Sequence, residues 1–83
     1  MKFIAEIDVM PLKALLDPQG KAVRLSMYNM GYKTVDNVRI GKHITMELEA
    51  DDKQHAAEKV EDACKKILSN PVMEYYEYKL EKQ

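Results

Sequence analysis

Four stretches of the chain alternate apolar with polar residues and two others repeat apolar residues at three- and four-residue steps, which predicts strands and helices respectively. The first strand runs from Lys2 to Met10. Phe3, Ala5, Ile7 and Val9 form one face, against a mixed set of Ile4, Glu6, Asp8 and Met10. Pro11 removes a backbone donor and ends the pairing there. A helix then starts at Asp17-Pro18. Asp17 is a capping residue, Pro18 suits the first helical position, and Gly31 is placed to end the helix as its C′ residue. Ala22, Val23, Met27 and Met30 make its apolar stripe, while Leu25 and Tyr28 fall off it, so part of this helix's second face is expected to meet something other than its own sheet.

Val35 to Ala50 predicts a β-hairpin. Val38 and Ile40 share a face on the way in, and Ile44, Met46 and Leu48 share one on the way out, with Gly41-Lys42 as a type II′ turn. The tip would then carry Arg39, Lys42 and His43. A second helix follows, capped by Asp51 or Asp52, with Gln54 placed for a capping box with Asp51 and an inner face of Ala56, Ala57, Val60, Ala63, Cys64, Ile67 and Leu68. Ser69-Asn70-Pro71 stops it. The last strand, Val72 to Glu81, places Val72, Glu74, Tyr76, Tyr78 and Leu80 on one face and Met73, Tyr75, Glu77, Lys79 and Glu81 on the other.

The order β-α-β-β-α-β is two split βαβ units joined through a hairpin. It predicts an α+β, ferredoxin-like fold, a single domain over residues 1–83 with an antiparallel sheet and both helices on one face. The other sheet face has no helix to cover it. On it Ile4, Met10, Val35, Met73 and Tyr75 mix with Glu6, Asp8, Arg39, Glu47 and Lys79, and an uncovered, partly apolar face invites a partner. Those five apolar residues are the expected self-interface of a homodimer or higher oligomer, and Arg39, Lys42 and His43 at the tip are the expected contacts to a partner. A solvated antiparallel face and a solvated turn are the plainer alternatives.

Composition narrows the function. With 13 basic and 14 acidic residues the net charge is −1, which argues against nucleic acid as the main partner. The single cysteine allows no internal disulfide, and one cysteine with two scattered histidines makes no tetrahedral zinc site, so a reducing cytoplasmic setting is expected. No apolar run is long enough to span a membrane. No catalytic or metal-binding set stands out. Cys64 sits in an apolar stripe, His55 in a charged first turn, and the carboxylates are scattered over polar faces. Asp17-Pro18-Gln19-Gly20 lacks the glycine spacing of a phosphate loop. The same topology in an RNA-recognition motif carries stacking aromatics on its central strands; here those positions hold Ala5, Ile7, Met46 and Leu48. The residues read as a small binding or assembly module.

Three segments resemble the PurS family, the small subunit of phosphoribosylformylglycinamidine synthase. They are Leu16-Asp17-Pro18-Gln19-Gly20-Lys21-Ala22-Val23, Val35-Asp36-Asn37-Val38-Arg39-Ile40-Gly41-Lys42, and Cys64 through Tyr76. The resemblance implies a non-catalytic subunit of a glutamine amidotransferase ligase complex in purine biosynthesis. That complex converts formylglycinamide ribonucleotide, ATP and glutamine to formylglycinamidine ribonucleotide, ADP, phosphate and glutamate. The implied partners are a PurQ-type glutaminase and a PurL-type synthetase, which the chain would join while assisting ammonia transfer. ATP and glutamine would be used by those partners, with no cofactor bound here. Two other classes share the strand and helix order. An ACT-like regulatory domain would bind a small molecule near Asp17-Pro18-Gln19-Gly20, and an acylphosphatase-like enzyme would need an Arg and Asn arrangement that Arg24 or Arg39 with Asn29 or Asn37 do not show.

Overall fold

The computed structural model describes all 83 residues. Strand β1 (Lys2–Pro11) is followed by helix α1 (Pro18–Asn29), strand β2 (Lys42–Glu49), helix α2 (Lys53–Ala63) with a π-helical turn at Cys64–Leu68, and strand β3 (Glu74–Lys82). The three strands form one antiparallel sheet in the order β2-β1-β3. Because β2 and β3 both pair with β1, α2 is the crossover of a split βαβ unit, as the alternation predicts.

Period-two burial on β1 builds the core. Phe3, Ala5, Ile7 and Val9 are essentially inaccessible and meet Ala56 and Val60 of α2 and Cys64 at the start of the π turn, with Leu80 from β3 alongside. Ala56, Val60 and Cys64 recur every four residues, so one line of α2 lies along the centre of the sheet. Asp52, not Asp51, caps α2, accepting the His55 amide at 2.8 Å, so the capping box expected from Asp51 and Gln54 does not form. The π turn inserts extra rotation after Cys64. Leu68 stays against the core while Ile67, expected on the inner face, is turned outward and 80% exposed. Ser69 closes the turn, its amide and hydroxyl both donating to the Cys64 carbonyl. Residues 70–73 then bend, so β3 begins at Glu74 and Val72 lies outside it.

The caps of α1 are those its residues predict. Asp17 accepts the Gly20 amide at 3.1 Å, and Pro18 opens the helix. At the other end Gly31 adopts φ 101°, the Gly31 amide donates to Tyr28 and the Tyr32 amide to Met27, which is the Schellman pattern of paired bonds.

Two larger expectations are also corrected. The hairpin of Val35–Ala50 does not form. Its first arm is not a strand, Gly41 has no positive φ, and β2 starts at Lys42. The β1–α1 connection claims the segment's hydrogen-bonding groups instead. The Ile40 amide donates to Asp17 Oδ2 at 2.8 Å, and the Arg39 guanidinium donates to the carbonyls of Leu12 (2.6 Å), Leu15 (3.2 Å) and Pro11 (3.3 Å). The segment is thus tied to the end of β1 and the start of α1, not to the free edge of β2. The second correction concerns α1, expected on the same sheet face as α2. Among its residues only Gly20 is buried, and the stripe residues Val23 and Met30, with Leu25 and Tyr28, are exposed. The molecule is accordingly elongated, 51 × 26 × 14 Å, with a radius of gyration of 16.4 Å against about 12 Å for a compact chain of this length.

Candidate functional site

Two surfaces carry the unusual features: the clamp that joins α1 to residues 35–41, and the sheet face that no helix covers.

The clamp is built by Asp17 and Arg39. Both Asp17 carboxylate oxygens are engaged by backbone amides, and those bonds, Ile40 first and then Gly20, hold its pKa below the usual carboxylate value. Gly20 is required there by close approach. A Cβ at that position would strike the Val38 carbonyl oxygen. Gly41 has the same kind of role, since a Cβ would strike Met10 Sδ and the Val9 carbonyl, which replaces the turn role expected for it. The Asp17 carboxylate and the Gly20 amide are therefore used internally, which takes them from the ligand site that the ACT-like reading needs.

The uncovered face is lined by the alternate residues of each strand. Along β1 it presents Ile4, Glu6, Asp8 and Met10. The register places Glu47 and Glu81 beside Ile4, Thr45 and Lys79 beside Glu6, His43 and Glu77 beside Asp8, and Tyr75 beside Met10. His43 bridges two β1 carboxylates, with Nδ1 at 2.7 Å from Asp8 and Nε2 against Glu6, which also accepts the Thr45 hydroxyl at 3.0 Å. The Asp8 and Glu6 bonds raise the His43 pKa above its ordinary value, and His43 with Thr45 lowers that of Glu6. A shallow cleft of about 340 Å³ opens here between Glu6, Asp8, His43, Glu77, Tyr78 and Lys79.

The expected partner contacts Arg39, Lys42 and His43 are not gathered at one tip. Arg39 is turned into the clamp, Lys42 is exposed at the first position of β2, and His43 lies on the sheet face. Of the expected self-interface residues, Ile4, Met10 and Tyr75 share the uncovered face, with Ile4 separated from the other two by the charged belt. Met73, 52% exposed, precedes β3, its carbonyl accepting the Leu12 amide, and Val35 is half-buried in the segment after α1. Further exposed apolar side chains lie on and around α1: Leu16, Leu25, Tyr28, Met30 and Tyr32. The signal for them was the pair Leu25 and Tyr28, which do not fit a single inner stripe on α1.

On the covered side, Cys64 is buried and its thiol is pushed up by desolvation, away from the thiolate a nucleophile needs. Tyr76 donates to Glu61 Oε2 at 2.6 Å, a bond that raises the phenol to about 12 and lowers the carboxyl.

The family model described as PurS, phosphoribosylformylglycinamidine (FGAM) synthase, matches residues 4–82. The PurS subunit of phosphoribosylformylglycinamidine synthase from Bacillus subtilis is 39% identical over 69 residues, covering 83% of this chain and 81% of that one. The Methanocaldococcus jannaschii subunit of the same name is 36% identical over 70 residues, 84% of each chain. Among solved structures, B. subtilis PurS superposes with a TM-score of 0.86 at 35% identity over 96% of this chain and 99% of that one. A chain from the structure of PurLQS from Thermotoga maritima superposes with a TM-score of 0.88 at 34% identity, over 98% and 99%. The ferredoxin-like α+β plan thus stands, shared across chains of the same length. The chain belongs to the PurS family, as a PurS subunit of phosphoribosylformylglycinamidine synthase in purine biosynthesis.

Proposed function

We propose that this chain is the non-catalytic assembly subunit of its synthase, joining a PurQ-type glutaminase to a PurL-type synthetase and assisting ammonia transfer between them. The observation that carries this reading is the match over nearly its whole length to a chain of the T. maritima PurLQS structure. The side chains are consistent with it. The thiol is buried in an unreactive state, His43 is paired to two carboxylates, and the Asp17 turn is filled by its own backbone.

Self-association belongs to the same proposal. The chain exposes 6220 Å², against about 5,100 Å² for a compact monomer of its mass. The excess of roughly 1,000 Å² is comparable to the share one partner buries in a standard interface. Exposed apolar residues lie on α1 and just after it, and a second copy is the occupant proposed for them.

Reconstitution tests the assembly role. The chain alone is expected to show neither glutaminase nor ATPase activity, and the two larger subunits are expected to need it for glutamine-dependent synthesis, with ammonia bypassing much of that need. Full glutamine-dependent turnover without the chain would refute the proposal. Leu25→Glu is expected to weaken self-association by light scattering while leaving the sheet intact, because Leu25 is 60% exposed and outside the core.

A further inference from the structure

His43 is the second residue of β2, a strand whose outer edge is unpaired, and the register ends one position earlier, at Lys42 opposite Val9. Its ring reaches back to both ionisable groups in the middle of β1, Asp8 directly opposite and Glu6 two residues along. An ionised carboxylate only accepts hydrogen bonds, and a neutral imidazole carries a single N–H. Only the imidazolium can donate to both. We propose that His43 is a proton-dependent clasp: charged, it holds the start of β2 to β1, and on losing its proton it loosens Lys42–Thr45 and the end of the segment 35–41 that leads into them.

The surroundings determine the direction. On this face β1 contributes Glu6 and Asp8, β2 contributes Thr45 with Lys42 at its end, and β3 contributes Glu77 and Lys79. No helix lies here, since the buried residues of α2 belong to the cluster on the opposite side. With His43 charged, three carboxylates face three cations, His43, Lys79 and Lys42. With His43 neutral, Glu6, Asp8 and Glu77 share Lys79 and Lys42, and one ring nitrogen turns a lone pair towards a carboxylate oxygen. Both changes favour separation of β2 from β1 at its first rungs. The upward shift of the His43 pKa agrees with this geometry. The clasp is a property of the chain itself and does not depend on which partner it joins.

The test uses the full chain, with nitrogen-detected spectra of the histidine ring and amide exchange of residues 42–45, normalised to intrinsic rates, from about pH 6 to about pH 9. Both ring nitrogens are expected to carry protons at neutral pH. Opening of residues 42–45 is expected to rise with pH, by up to tenfold for each unit separating the folded and opened midpoints. His43→Arg keeps a permanent charge and two N–H groups and is expected to flatten that dependence. Glu6→Gln, which removes one facing charge, is expected to lower the His43 midpoint even if the arginine variant does not fold. A single neutral tautomer at neutral pH, an arginine variant with the wild-type pH dependence, or an unmoved midpoint in Glu6→Gln would each overturn the proposal.

Discussion

Replacing Gly20 by alanine sets two principles against each other. Gly20 is the third residue of α1, and helix propensity alone favours alanine over glycine by up to about 1 kcal/mol. The new Cβ would meet the Val38 carbonyl oxygen, lie 2.7 Å from Asp17 Oδ2 and lie 2.9 Å from the Val38 carbonyl carbon. Two of these atoms are backbone and the third belongs to a carboxylate pinned by two amides, so none can swing aside as the end of a flexible side chain would. Overpacking of this kind typically costs about 1–3 kcal/mol. Clash outweighs propensity, and the net expectation is a loss of about 1–2 kcal/mol, or a fall in Tm of roughly 5–10 °C for a domain this small. The cheapest relief is to lift residues 35–41 off the helix, which breaks the Ile40 amide bond to Asp17 while leaving the β1–α2 core in place. Thermal denaturation at fixed protein concentration, with amide exchange at Ile40, reads both effects; the concentration is held because self-association would move the apparent stability. An alanine variant as stable as the parent, with the Ile40 amide still protected, would refute the reasoning. Gly31→Ala is the control. Nothing lies within 4 Å of its added Cβ, and its φ of 101° costs only backbone strain of about 1–2 kcal/mol.

Val60→Ala empties a fully buried site between α2 and β1 and is expected to cost about 1.5–3 kcal/mol by urea denaturation, with little effect on the clamp. Tyr76 is expected to ionise near pH 12 by ultraviolet titration, and Glu61→Gln to bring it down, because the carboxylate bond is the main cause of the shift. Stability should depend on pH with two signs. The raised pKa of His43 contributes stability that is complete below its unfolded value and is lost as pH rises through the folded one. The lowered pKa values of Glu6, Asp17 and Glu61 contribute stability present above their unfolded values and lost as pH falls through the folded ones. Urea midpoints should therefore pass through a maximum between the carboxylate and imidazole ranges. His43→Asn should remove most of the slope in the imidazole range and leave the acid slope set by Asp17 and Glu61 and the slope at higher pH set by Cys64, Tyr76 and Tyr78.

Local chemistry alone determined the features whose causes lie within a few residues. The alternation of Phe3, Ala5, Ile7 and Val9 specified the buried face of β1. Asp17-Pro18 and Gly31 marked both ends of α1, and the spacing of Ala56, Val60 and Cys64 picked out the inner line of α2. The family was legible too, because its Asp-Pro-x-Gly and Val-Arg-x-Gly-Lys segments are contiguous. These same segments form the clamp in three dimensions: Asp17 takes the Ile40 amide and Arg39 takes the carbonyls of Leu12 and Leu15.

Only the tertiary structure decided what residues 35–41 do. Their alternation is that of a strand, but a strand exists by pairing, and the Asp17 carboxylate with the carbonyls of Pro11, Leu12 and Leu15 offers these residues partners around the β1–α1 connection. Periodicity carries no information about which acceptor an amide will find. Gly41 illustrates the same limit. A glycine before a lysine suggests a turn, while the structure uses it to let one backbone pass close to Met10 and Val9. Ile67 fitted the apolar period of α2 until the π turn, a departure of a single residue, rotated it outward. The pairing of His43 with Glu6 and Asp8 was likewise invisible along the chain, since 37 and 35 residues separate groups that antiparallel register brings together. Sequence spacing sets the face a side chain takes on its own element. Which elements meet, and in what register, depends on hydrogen bonds and burial summed over the whole molecule.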